Sequence, residues 1–118
     1  MPEQTYAGGC HCGRIRFEVT ADLGRVAACN CSICSKRGAL WAFVKPERFA
    51  LRAGERELAD YQFNKKVIHH LFCPACGIGA FARGRAPDGG EMVALNVRCL
   101  DGVDVAALTV VPFDGRSL

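Results

Sequence analysis

The sequence predicts a mainly β protein, a small twisted assembly of antiparallel strands stapled by metal. Three observations lead there. Short alternating or wholly apolar runs recur along the chain, separated by turns rich in glycine, proline and aspartate. No segment sustains a helical period. Seven of the eight cysteines fall into three tight clusters: Cys10-His11-Cys12, Cys29-Asn30-Cys31-Ser32-Ile33-Cys34 and Cys73-Pro74-Ala75-Cys76.

The elements follow in order. Residues 15–19 alternate apolar and charged side chains, as a half-buried strand does. Residues 25–28 lead into the cysteine triplet. Residues 40–44 (Leu-Trp-Ala-Phe-Val) are apolar throughout and stop before Pro46. Trp41 and Phe43 are read as core residues. Residues 49–51 and 58–63 are further strands, with Gly54 at the turn between them. Residues 67–72 deliver the chain to Cys73, and 79–83 continue out of that knuckle. Residues 85–90, with their Pro87-Asp88-Gly89-Gly90 run, are a loop. Residues 92–97 form a late strand, Asp101-Gly102 a turn, and 104–108 a short helical turn capped by Asp104. Val110-Val111 is a final strand. The other helical candidate is 32–37, wrapped around the triplet. Lys65-Lys66 reads as an exposed turn.

A length of 118 residues implies one domain, 1–118. Half the residues are hydrophobic, enough for a small core whose stability metal sites would supplement. No apolar run approaches the length of a membrane span, and the polar start Met1-Pro2-Glu3-Gln4-Thr5 lacks a signal-peptide core. A cytoplasmic location is therefore expected. Thiols stay reduced there, which weakens the reading of the cysteines as a disulfide framework, and with the spacing weighed as well zinc is favoured over an iron–sulfur cluster. The formal charge is +3. Seven thiolates holding two zinc ions would remove three charges and leave the loaded protein near neutral. A basic balance thus argues little for nucleic acid, and no basic stripe supports it.

Cys73-x-x-Cys76-Gly77 has the spacing of a zinc knuckle. A thioredoxin-like redox pair would need a parallel βαβ setting, which the pattern lacks. Cys10-x-Cys12 needs a bend. On a regular strand its side chains stand about 6.6 Å apart, whereas two sulfurs on one tetrahedral zinc sit near ~3.8 Å. Gly8, Gly9 and Gly13 allow that bend. His11 projects away from the pair as a surface residue. The repeated Cys-x-Cys step at Cys10 and Cys29 is too short to count as a repeat.

Cys29, Cys31 and Cys34 are local enough to share one ion. Their fourth partner is open: Cys99, His69, His70, a water or a substrate. Parsimony joins Cys10, Cys12, Cys73 and Cys76 into one site and leaves the triplet as a second, while spacing also permits swapped pairings. A zinc held by three protein ligands keeps a position for a substrate. Three thiolates make it a weak Lewis acid toward water but a good partner for a soft fourth ligand, another thiolate. An external thiol, with a free pKa near ~8.5, would be held there as a thiolate at neutral pH. Addition of that sulfur to a small aldehyde, or the reverse cleavage, is the natural reaction. Cys29, Cys31 and Cys34 are thus the candidate catalytic residues.

These residues resemble the glutathione-dependent formaldehyde-activating enzyme and centromere protein V family. The resemblance rests on residues 9–19, 29–34, 72–77 and 98–102, in the family's order. It implies a β-tent fold, a structural zinc on Cys10, Cys12, Cys73 and Cys76, and a catalytic-type zinc on Cys29, Cys31 and Cys34. For the enzyme branch it implies carbon–sulfur lyase chemistry, joining glutathione and formaldehyde. The compact length and residues 17–19 and 61–64 are more similar to the short, centromere-protein-like branch.

Other residues read more plainly. Lys36 and Arg37 are solvated neighbours of the triplet that would suit a substrate carboxylate. His69 and His70 would face opposite sides of a strand, so only one can approach a site. Cys99 is a buried free thiol. The expected partners are a small thiol, glutathione among them, and a small aldehyde; a homodimer is left open. The competing readings are a non-catalytic zinc module for a protein or nucleic-acid partner, and a zinc carrier.

Overall fold

The computed structural model describes residues 3–63 and 66–117. In chain order the strands are β1 (Gln4–Gly9), β2 (Arg16–Ala21), β3 (Val26–Cys29), β4 (Leu40–Val44), β5 (Phe49–Ala53), β6 (Ala59–Tyr61), β7 (His69–Phe72), β8 (Gly79–Arg85), β9 (Glu91–Asn96) and β10 (Val110–Phe113). One short helix, α1 (Cys34–Arg37), follows β3. The mainly β class expected from the sequence is the class observed. Two sheets form. The smaller has the order β1-β2-β5, the larger β10-β3-β4-β9-β8-β7-β6.

Alternation in β2 sorts its side chains. Phe17, Val19 and Ala21 are buried, while Arg16, Glu18 and Thr20 are half-exposed. Phe17 stacks on Phe49 of β5 at 5.1 Å between ring centroids. Phe49 in turn meets Phe81 of β8 at 4.7 Å. These three rings join the two sheets, and Ile15, Leu23, Val26, Val93, Leu95 and Val97 fill the space around them.

Several expectations shift in detail. Residues 40–44 form a strand as expected. The turn at Val105–Ala107 is capped by Asp104, whose carboxylate accepts from the Ala106 N–H at 3.1 Å. The strand expected over 67–72 begins only at His69, because Val67 and Ile68 lie in exposed chain before it. Gly54 does turn the chain, at φ 92°, but β5 and β6 are not a hairpin; they belong to different sheets. Strand β1 carried no apolar alternation to reveal it. Its two buried positions are the adjacent Gly8 and Gly9, on opposite faces, pressed against the backbone of Cys99 and Ile15. Those two glycines therefore serve close approach rather than the bend, which falls at Gly13. Met1, Pro2, Asn64 and Lys65 of the expected exposed turn lie outside the described residues.

Two corrections bear on function. Phe43 is not core: it is 48% exposed on the outer face of the large sheet, beside Phe113. Also, one strand pair is parallel. β10 runs alongside β3 with Val110 opposite Val26 and Phe113 opposite Cys29. The other strand pairs among the described residues are antiparallel. The chain returns from the Asp104 turn to the free edge of β3 in the same direction, so the residues after Phe113 arrive at the cysteine triplet.

Replacing Phe81 by alanine should remove the ring that links the sheets. The expected cost is about 3–5 kcal/mol, read as a lower urea midpoint at unchanged slope.

Candidate metal centres

Two hairpin loops bring the first four sulfurs together. Cys10 and Cys12 lie between β1 and β2; Cys73 and Cys76 lie between β7 and β8. The loops are built alike. In each, the first cysteine's N–H donates to an isoleucine carbonyl five residues on, Cys10 to Ile15 at 3.1 Å and Cys73 to Ile78 at 3.0 Å. Each contains a left-handed glycine, Gly13 at φ 85° and Gly77 at φ 83°. The internal echo thus relates Cys10-x-Cys12 to Cys73-x-x-Cys76, not to the triplet. The four Sγ atoms all lie within 4.8 Å of one another. Cys12 Sγ stands 3.6 Å from the sulfurs of both Cys10 and Cys73. That matches the ~3.8 Å expected of two sulfurs bound to one zinc at ~2.3 Å. The pairing expected from parsimony is the one the fold assembles. The Ile15 N–H donates to Cys10 Sγ at 3.3 Å. The Arg14 backbone N–H, and then its guanidinium, hold the Cys12 thiol down at about 6.

The second cluster sits on the outer face of the large sheet. β3 ends at Cys29, a tight loop carries Cys31, and Cys34 opens α1. Their sulfurs also lie within 4.8 Å of one another. Helix α1 closes at Gly38, whose N–H returns to the Cys34 carbonyl at 2.9 Å. Trp41 is buried as expected, and it also serves the cluster, because its indole N–H donates to Cys34 Sγ at 3.3 Å. Burial pushes the Cys34 thiol up to about 12, against the pull of that indole. Sequence spacing gave no sign of this contact. It also missed Arg14, and it missed Asn30, whose side chain bonds Asp114 and the Arg116 N–H from the far end of the chain. Only the Cys-Asn-Cys position of Asn30 could have drawn notice.

The candidates for a fourth partner of the triplet fall elsewhere. Cys99 is half-buried, lies on the side of Cys10 and Cys76, and is pushed up to about 11 by burial. His69 is exposed and bonded through Nδ1 to Asp60 at 2.6 Å. His70, on the opposite face, is buried against the Phe63 ring. Both sit on β7, four strand intervals from β3, or roughly 19 Å at about 4.8 Å per strand. Among the described residues no histidine, carboxylate or other cysteine joins the triplet's group. His11 is exposed and in neither cluster. Lys36 and Arg37 are exposed on α1, and the Arg37 guanidinium lies over the Phe72 ring at 5.7 Å.

The donor sets suit a thiophilic dication. All-sulfur clusters with N–H groups aimed at the sulfurs stabilise thiolates and match zinc rather than a hard cation. A mainly β fold with one four-sulfur and one three-sulfur centre defines a class of small sulfur-site protein, each centre able to hold a metal ion. The chain matches the family model described as glutathione-dependent formaldehyde-activating enzyme over residues 5–111, and it belongs to that family. A crystal structure of a Rhodobacter sphaeroides protein is similar throughout, with a TM-score of 0.80 at 32% identity over 90% of this chain and 97% of that one. No helix among the described residues is long and apolar enough to cross a membrane.

The two clusters should fail differently. Cys73→Ser is expected to leave the chain unfolded at room temperature, since a zinc ion held by these four sulfurs would contribute about 10 kcal/mol or more to so small a fold. Cys31→Ser should stay folded and lose one metal equivalent. Circular dichroism with metal analysis on both variants checks this; equal unfolding would show that the centres are not distinct.

His70 carries a pH signature. Burial lowers it from the ordinary 6.5, Arg37 and His69 adding to the shift and Asp60 opposing it. The unfolded chain therefore takes up the proton first as pH falls. The stability involved is complete above pH 6.5 and drains away below it, toward the lowered folded value. His70→Gln should flatten the thermal midpoint between about pH 7 and about pH 5 relative to the parent.

Proposed function

We propose that the chain acts as one domain, residues 1–118, and is a zinc-dependent carbon–sulfur lyase-like enzyme. It takes a small thiol such as glutathione and adds it to, or releases it from, a small aldehyde such as formaldehyde. Cys10, Cys12, Cys73 and Cys76 would hold a structural zinc, and Cys29, Cys31 and Cys34 a catalytic one. The observation that carries this reading is the second cluster: three convergent sulfurs with no fourth side-chain donor among the described residues. Zinc there would supply the positive charge that keeps an incoming thiol in its thiolate form.

The protein's own residues shape the rest. The triplet fixes three sulfurs on one short loop and helix. The Trp41 indole and the Cys31 N–H, which points at Cys29 Sγ at 3.5 Å, soften the negative charge of those sulfurs. Lys36 and Arg37 on α1, with Arg98 donating to the Gly38 carbonyl at 3.3 Å, form a cationic flank. That flank suits a thiol that also bears carboxylates. The reaction balances without an oxidant. The thiol sulfur bonds to the aldehyde carbon, the carbonyl π pair moves to oxygen, and the proton lost by sulfur is matched by one gained at oxygen. Cleavage reverses each step.

Exchange NMR with glutathione and carbon-13 formaldehyde measures the interconversion directly. The zinc-loaded protein should accelerate it, and Cys31→Ser should return it to the uncatalysed rate. No acceleration by protein carrying two zinc equivalents would refute the reading.

A further inference from the structure

The segment after β10 is fastened over the cysteine triplet. We propose that Asn30 is a positioning residue of the triplet's metal centre: it clamps residues 113–117 against Cys29, so that Gly115 covers that sulfur and sets its direction. The inference rests on the reading of Cys29, Cys31 and Cys34 as metal ligands.

Asn30 stands between two of those cysteines, and each of its four polar groups (N–H, C=O, Nδ2 and Oδ1) makes a hydrogen bond. Its N–H donates to the Phe113 carbonyl at 3.1 Å. Its Nδ2 donates to Asp114 Oδ1 at 2.9 Å, and its Oδ1 accepts from the Arg116 N–H at 2.9 Å. Its carbonyl accepts from Ser35 Oγ at 2.9 Å, at the start of α1. Ser117 Oγ closes the turn on Asp114 Oδ2 at 2.6 Å. Only an amide fits, because one end must donate to a carboxylate while the other accepts from a backbone N–H.

Gly115 gives an independent reason. A Cβ built there would collide with Cys29 Sγ and come within 3.4 Å of Cys31 Cβ. Its backbone is not left-handed, so conformation does not call for glycine at this position; the sulfur does. The segment thus lies in van der Waals contact with a candidate ligand atom. A sulfur covered on one side by backbone is shielded from water and from competing ligands there, and its lone pairs are constrained. With Trp41 against Cys34, two of the three sulfurs are faced by protein. An incoming thiol must then approach from the sides these residues leave free.

The test uses the full chain loaded with zinc, released to a chromophoric chelator, and a parallel cobalt-loaded sample read by its sulfur-to-metal absorption. Asn30→Asp is nearly isosteric, cannot donate to Asp114 and repels it. It should speed the loss of one ion by about 10- to 100-fold, leave the other phase unchanged, and alter the absorption of one cobalt centre. Adding Asp114→Asn restores a donor opposite position 30 and should recover most of the parental rate. Gly115→Ala, which leaves the Asn30 amide intact, should shift the same cobalt centre; it keeps the test alive if Asn30→Asp folds poorly. Parental release rates in Asn30→Asp, or no recovery in the double variant, would overturn the clamp. Uptake of a single ion by the parent protein would instead refute the two-centre reading, and the clamp with it.

Discussion

The constraint that ties the two sheets together is the meeting of four sulfurs drawn from two hairpin loops, 61 residues apart between Cys12 and Cys73. One loop ends the first hairpin of the small sheet. The other joins β7 to β8 in the large sheet. Among the described residues no strand of one sheet pairs with a strand of the other; what crosses between them includes Phe17 and Phe49 meeting Phe81, the Gly8–Leu100 bridge, the Asp101 N–H bonded to the Ala7 carbonyl, the Arg16–Asp101 ion pair and this cluster. A core of this size gains only modest stability from burial. Four thiol groups this close attract one another only weakly, through dispersion and soft S–H···S contacts, so their convergence makes physical sense as a cation site. The shared hydrogen bond from cysteine to isoleucine makes each loop a preformed half of that site.

The triplet is made differently. Its three sulfurs come from one continuous stretch and need no second sheet to meet. What the fold supplies is a floor and a cover. The floor is the outer face of the large sheet, where Trp41, Ala27 and Ala94 pack against the cluster. The cover is the segment after β10, which reaches Cys29 only because β10 runs parallel to β3. An antiparallel β10 would send the chain away from Cys29 toward Val26. The one parallel pair among the described residues is therefore tied to the site rather than to the core.

What was legible in the sequence follows from this split. Cysteine spacing is local chemistry, so both clusters were readable, as were the strand at Leu40–Val44 and the Asp104 cap. Strand β1 was not, because its buried residues, Gly8 and Gly9, are glycines in contact with distant backbone and show no apolar alternation. Nor was the outer face: Phe43 reads as core in any apolar run, yet it faces away from Phe17 and Phe81. Asn30 was hidden for a related reason. Its partners Asp114 and Arg116 lie 84 and 86 residues away, and nothing in a Cys-Asn-Cys triplet announces them.

The electrostatic surroundings separate the two centres further. Beside Cys12 stands Arg14, bonded to its sulfur and itself held more firmly protonated by it. Four thiolates on a dication carry two negative charges, and a cation at contact distance offsets part of them and quiets the sulfurs. At the triplet the donors are neutral: an indole N–H, a backbone N–H and the glycine cover. Arg37, the nearest guanidinium in sequence, turns instead to the Phe72 ring. Holding a dication, the three thiolates would carry one net negative charge, and with no cation bonded to its sulfurs among the described residues this centre would keep electron density that the other gives up. A centre meant only to hold two sheets together gains from the first arrangement. One that must accept and release a fourth ligand gains from the second, because neutral donors orient the sulfurs without filling the space that ligand needs.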